Sequence, residues 1–212
     1  MSTQTTPPPA AAKPLPVPVF NLPNQLTSLR LLLAVVMFCM IPWEHYLTSL
    51  ALFVVAASTD WLDGYFARKY GQVTTLGRIL DPFADKVIIC GTFIFLLAVP
   101  KMAATPYGLR AWMVVVIVGR ELLVTALRSF IEDRGSDFSA KMSGKLKMLL
   151  QCIAAGAGLY FLSYRAETAP AWVWWIMVGS TWLAVLLTLY SGLQYVYAAA
   201  RLLKGYRAAR EV

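Results

Sequence analysis

Histidine occurs once in the 212 residues and cysteine three times, and charged side chains make up only 14% of the chain. An average globular domain carries about 25% charge, so an ordinary water-facing surface cannot be assembled from this composition. The single His45 and the odd set Cys39, Cys90 and Cys152, each within an apolar run, argue against a disulfide scaffold and against a Cys/His zinc site. Strict alternation of apolar and polar residues is also missing, which argues against a β-barrel. What is abundant is hydrophobicity: 58% apolar residues and a mean hydropathy of +0.60, which excludes a disordered polypeptide.

At about 20 residues per bilayer crossing, the chain is long enough for roughly six crossings. Six apolar stretches can be laid out, at 29–41, 47–67, 82–99, 109–131, 146–162 and 171–199. The connections between them are short, which favours one compact bundle. The expected fold is all-α, a polytopic membrane protein with six transmembrane helices. Its expected organisation is a disordered Pro-rich tail at 1–20, a helical catalytic unit at 21–200 and a basic cytoplasmic tail at 201–212. The tail at 1–20 lacks the short apolar core and cleavage site of a signal peptide.

The formal charge of +8 suits membrane topology and lipid headgroups rather than nucleic acid. With the N-terminus placed in the cytoplasm, fifteen of the nineteen basic residues fall on the inner side, while Lys101, Arg110 and Arg165 fall on the outer side and Arg120 lies inside a helix. This inside-positive bias predicts that both termini are cytoplasmic. The expected location is a bacterial plasma membrane.

Four acids do not follow from topology. Asp60 and Asp63 are three residues apart, Asp81 and Asp85 four apart, so each pair shares a helical face. A short link joins the two helices, bringing the faces together on the cytoplasmic side. Carboxylates near a bilayer core cost several kcal/mol unless paired or metal-bound. One arrangement pairs Asp63 with Arg68 and Asp85 with Arg78 and leaves two acids over. The other places two divalent cations among all four, and oxygen-only ligands point to Mg²⁺ or Mn²⁺. A cation-coupled transporter would also use acids, but would hold them nearer the membrane midplane, often on interrupted helices.

Gly64 follows Asp63, and Arg68 lies four residues further along the same face. A bare backbone beside a guanidinium fork suits a phosphate-bearing ligand, although a lone glycine also serves helix packing. Gly77 is placed to do the same on the facing wall. Arg120 and Arg128 are two turns apart on one helix. They form either a phosphate-sized basic stripe or, through Arg120 and Glu121, a structural pair. Lys145 and Lys147 add to the inside-positive balance.

The stretch Asp60-Trp61-Leu62-Asp63-Gly64-Tyr65-Phe66-Ala67-Arg68, followed by Gly77, Asp81 and Asp85, matches all eight fixed positions of a long signature. On these residues the chain resembles the CDP-alcohol phosphatidyltransferase family. Residues 21–30 (NLPNQLTSLR) are similar to that family's opening segment. Residues 119–128 (GRELLVTALR) and 143–147 (SGKLK) are similar to the branch whose acceptor is glycerol 3-phosphate. The resemblance covers about residues 21–200.

It implies a six-helix membrane enzyme, a homodimer, with CDP-diacylglycerol and glycerol 3-phosphate as substrates. Asp60, Asp63, Asp81 and Asp85 would hold the metals, and Asp85 would also act as general base. Asn24, Thr27, Asp60, Gly64, Ala67, Arg68 and Gly77 would bind CDP-diacylglycerol. Arg120, Arg128, Lys141 and Lys145 would bind the acceptor. Other acceptors within the family, namely inositol phosphate, serine or phosphatidylglycerol, are the alternatives.

Overall fold

The computed structural model describes the backbone of residues 22–70, 75–132, 142–164 and 169–208, with the side chains at 22–23, 60–76, 78, 130, 132–145 and 202–208 outside the description. Within it the chain is helical: α1 (Leu22–Met40), α2 (Tyr46–Tyr70), α3 (Thr75–Ala98), α4 (Pro100–Ala104), α5 (Ala111–Glu132), α6 (Met142–Ser163) and α7 (Ala171–Ala208). No strand occurs among the described residues. The six apolar stretches correspond to the six long helices, and the short α4 is an addition that the apolar pattern did not mark.

Several of the described helix ends have a local cause. Pro42 follows α1, and Glu44, at φ 61°, turns the chain back so that His45 N–H reaches the Met40 carbonyl at 3.1 Å. Pro100 opens α4 at its first turn, where a missing N–H costs nothing. Lys101 reaches from α4 to the end of α6, donating to the carbonyls of Phe161 (3.3 Å), Leu162 (3.4 Å) and Tyr164. It thereby satisfies acceptors that a helix C-terminus leaves open. Burial lowers the pKa of this ammonium below the usual lysine value. Arg110 closes α4 in the same way, donating to the Ala103 and Thr105 carbonyls at 2.6 and 3.2 Å. Two of the basic residues expected on the outer side are therefore helix caps. Arg165 lies outside the described residues.

α3 is the hub, packed against α1, α2, α4, α5 and α6, while α7 lies along α5 and α6. The core includes Met37, Phe53, Ile88, Phe93, Leu96, Ile117, Leu159 and Met177. The outward faces are apolar as well: Leu32, Val54, Val115, Leu122, Leu149, Leu186 and Leu193 are all more than half exposed. Buried positions, in contrast, include Thr27, Arg30, Ser49, Lys147, Gln151 and Thr188. Apolar outside with polar inside is an arrangement for lipid and not for water.

Among the described residues, two helical segments, Leu146–Ser163 and Ala171–Arg201, are long and apolar enough to count as spans by length and composition. α3 and α5 dilute their hydropathy with Asp81, Asp85 and Lys86, and with Arg120, Glu121 and Arg128. At about 1.5 Å per residue, the 38 residues of α7 extend well past a bilayer core of about 30 Å.

Close approach of α1 and α3 depends on Gly91. A Cβ built there would lie 2.2 Å from Cζ of Phe38, whose ring is stacked on Phe95 at 4.8 Å and so cannot swing aside freely. Gly91→Ala is expected to destabilise by about 1–3 kcal/mol through overpacking. Gly179, with no atom within 4 Å of its built Cβ, is the control. Gly179→Ala is expected to be neutral or to stabilise by up to about 1 kcal/mol through helix propensity. Thermal melts of the detergent-purified variants measure both.

Candidate active site

α1 brings Asn24, Thr27 and Arg30 to one face at three-residue intervals, and all three are buried, Arg30 completely. They face the start of α3. Thr27 Oγ1 donates to Asp81 Oδ1 at 2.5 Å, and Arg30 Nη1 donates to Asp85 Oδ1 at 2.8 Å. The ion pair sits at the edge of the bundle interior, with Arg30 at 1% side-chain exposure and Asp85 at 30%. Sequence spacing offers Arg78 as a cation for Asp85; among the described residues Arg30 makes such a pair. Residue 30 lies on the α1 face that meets α3; the Arg78 side chain lies outside the described residues. Thr27, expected beside a nucleotide, donates its hydroxyl hydrogen to Asp81.

Pro82 lies between the two acids inside α3 and has no N–H to donate back along the helix. Lys86 Nζ donates to the Pro82 carbonyl at 2.8 Å. Asp81 and Asp85 form one wall of a cavity of about 300 Å³, and Lys86, Arg128 and Lys147 line it with positive charge. Glu121 and Gln151 line it too. A second cavity of about 260 Å³ adjoins it, sharing Pro82, Lys86, Glu121 and Arg128 and adding Arg120. Gly77 is buried on the first turn of α3.

The expected basic residues are placed differently from one another. Arg128 lines both cavities, and its buried Nε has no hydrogen-bond acceptor among the described residues. Arg120 turns toward α7, donating to Ser191 Oγ at 2.7 Å and lying 5.3 Å from the centre of the Tyr195 ring. It touches the second cavity and not the one bearing the acids. Lys141 and the side chain of Lys145 lie outside the described residues. So do the side chains of Asp60, Asp63, Gly64, Ala67 and Arg68, whose backbone forms the last turns of α2.

Lys147 was read as a topology charge, yet it is buried at the cavity wall. The signal for it was available: Gln151 lies one turn later, and a polar pair at that spacing inside an apolar helix marks an inward face. Arg30 carried the same signal, three residues after Thr27. Lys86 was masked by its neighbour Asp85.

Asp81 and Asp85 present oxygen donors, with no histidine or cysteine among the residues lining the cavity. This donor chemistry fits a hard divalent cation. Carboxylates and cationic side chains thus line one cavity.

A cavity of this charge inside a lipid-facing helical bundle is what an enzyme acting on a phosphorylated lipid requires. Residues 20–192 match the CDP-alcohol phosphatidyltransferase family, and the chain belongs to that family. It is 35% identical over 193 residues to the CDP-diacylglycerol–glycerol-3-phosphate 3-phosphatidyltransferase of Bacillus subtilis, covering 84% of this chain and 94% of that protein. The protein of the same name from Escherichia coli K12 is 33% identical over 189 residues, with 85% and 95% covered. Among solved structures, Mycobacterium tuberculosis phosphatidylinositol phosphate synthase with CDP-DAG bound has the same fold. The TM-score is 0.61 at 16% identity, covering 85% of this chain and 87% of that one.

Arg30 is the interior countercharge of the acids. Arg30→Ala is expected to lower stability by about 2 kcal/mol, short of the 3–5 kcal/mol typical of a fully buried pair because Asp85 is partly solvated. Thermal or denaturant melts at neutral pH measure the loss.

Proposed function

We propose that this chain transfers the phosphatidyl group of CDP-diacylglycerol to the primary hydroxyl of sn-glycerol 3-phosphate, releasing phosphatidylglycerophosphate and CMP. The observation that carries this reading is one cavity lined both by Asp81 and Asp85 of α3 and by the cations Lys86, Arg128 and Lys147. Relatives named for this reaction match along nearly their whole length, which supports glycerol 3-phosphate over the other acceptors. The phosphatidylinositol phosphate synthase neighbour supports the fold alone.

In this reading Asp60, Asp63, Asp81 and Asp85 hold two divalent cations, Mg²⁺ or Mn²⁺. Bound there, the cations would neutralise charge on the diphosphate and on departing CMP. Thr27 and Arg30 orient the two α3 carboxylates. Asn24, Thr27, Asp60, Gly64, Ala67, Arg68 and Gly77 receive the cytidine diphosphate head. Arg128, with Lys86 and Lys147, holds the acceptor phosphate; Arg120, Lys141 and Lys145 are proposed as further acceptor contacts. Asp85 accepts the proton of the acceptor hydroxyl as its oxygen bonds to the lipid-bearing phosphorus. The bond from that phosphorus to CMP breaks in the same displacement, without a covalent enzyme intermediate.

The same reading makes the six long helices six crossings, with both termini and the site on the cytoplasmic side of a bacterial plasma membrane. Aromatic residues support the orientation: Trp43 follows α1, Tyr107 precedes α5, and Trp112, Trp172 and Trp175 lie in the first turns of α5 and α7, whereas Asp85 lies in the first half of α3. Aromatics at one set of helix ends suit an interfacial belt. The chain acts as a homodimer, with residues 1–20 and 201–212 as tails outside the catalytic unit 21–200.

Purified protein given CDP-diacylglycerol, Mg²⁺ or Mn²⁺ and a panel of acceptors is expected to release CMP with glycerol 3-phosphate. Release with inositol phosphate, serine or phosphatidylglycerol instead would overturn the acceptor assignment. Chelation of divalent ions is expected to abolish turnover and re-addition to restore it. Asp85→Asn is expected to lower kcat at least about 100-fold, the low end for losing a general base; full activity in that variant would refute the base role.

A further inference from the structure

Arg120 and Lys147, buried between α5, α6 and α7, converge on one carboxylate. Arg120 Nη1 lies 3.3 Å from Glu121 Oε1, and Lys147 Nζ donates to the same oxygen. Side-chain exposures are 10% for Arg120, 13% for Glu121 and 5% for Lys147. Arg120 is anchored a second time, on Ser191 of α7. Its guanidinium therefore holds Glu121 against a fixed point, and Glu121 in turn holds Lys147.

Two cations against one carboxylate leave a surplus positive charge inside the bundle. A pair serving stability alone gains nothing from that surplus, since each buried ion is costly to desolvate. The surplus is not sealed in: Glu121 and Lys147 both line the cavity whose opposite wall carries Asp81 and Asp85. A lysine ammonium is a point charge on a flexible four-carbon stem. With no restraint it would be drawn toward the two carboxylates facing it and would compete with any cation there.

We propose that Glu121 is a positioning residue that tethers Lys147 to the basic wall, keeping its ammonium available to the acceptor phosphate and away from Asp81 and Asp85. The inference rests on the reading of this cavity as the acceptor site. Glu121 separates the two kinds of charge that the reaction needs side by side.

The test uses Glu121→Gln, Lys147→Gln and the double variant, all as full-length protein in detergent. Glu121→Gln is expected to raise KM for glycerol 3-phosphate about ten-fold, the loss of one charged hydrogen bond. It is also expected to weaken Mn²⁺ binding, read by electron paramagnetic resonance without substrates, by about ten-fold. Adding Lys147→Gln is expected to restore Mn²⁺ binding, because the released ammonium is gone. Unchanged Mn²⁺ binding in Glu121→Gln, or no recovery in the double variant, would overturn the tether. If Mn²⁺ binding follows the tether pattern but Arg128→Gln leaves KM for glycerol 3-phosphate unchanged, the acceptor reading fails and the tether stands. Should Glu121→Gln fail to fold, Glu121→Asp keeps the charge one methylene further back and is expected to shift KM and Mn²⁺ binding in the same direction. No shift in that variant would refute the proposal.

Discussion

A charged side chain inside a lipid-facing bundle must find an opposite charge, and in this protein that requirement is met first by Arg30 and Asp85. Their 2.8 Å contact joins α1 to α3, and α3 is the helix against which α1, α2, α5 and α6 all pack. Thr27 makes the companion bond to Asp81 one turn away on each helix. The two contacts set the register between α1 and α3 and so aim both α3 carboxylates. Gly91 sits further along the same interface and allows the approach that the polar bonds need.

The same rule organises the far side of the cavity. Lys147, Glu121, Arg120 and Ser191 form a chain of polar contacts from α6 through α5 to α7, and Gln151 with Thr188 adds a neutral link at 3.1 Å. The bundle is thus closed by two polar seams, one at each wall of the cavity. Between them lie groups of both signs within a space of about 300 Å³. Phosphatidyl transfer to a phosphorylated alcohol needs such a division, because one substrate arrives with cations and the other as an anion. Away from the site, helix ends are finished locally, with Lys101 and Arg110 as caps.

Much of this was legible in the residue order. Six apolar stretches marked six long helices, and the paired acids stood out because so few charges surround them. The eight-position signature points to the family to which the chain belongs. Less legible were Arg30 and Lys147, both of which counted plausibly as inward-facing topology charges. A positive charge near a helix end has two explanations in sequence, lipid headgroup or internal partner. Only the direction in which the helix face points decides between them.

Composition and spacing by themselves determined an all-helical, lipid-facing protein with an acidic pair on each of two neighbouring helices, since hydropathy and helical period act within a single segment. Tertiary structure decided which partner each charge takes. Asp85 pairs with a residue 55 positions away, Glu121 with one 26 positions away and Arg120 with one 71 positions away. Those choices depend on the rotation and depth of one helix against another. Packing sets both, and no local pattern records them.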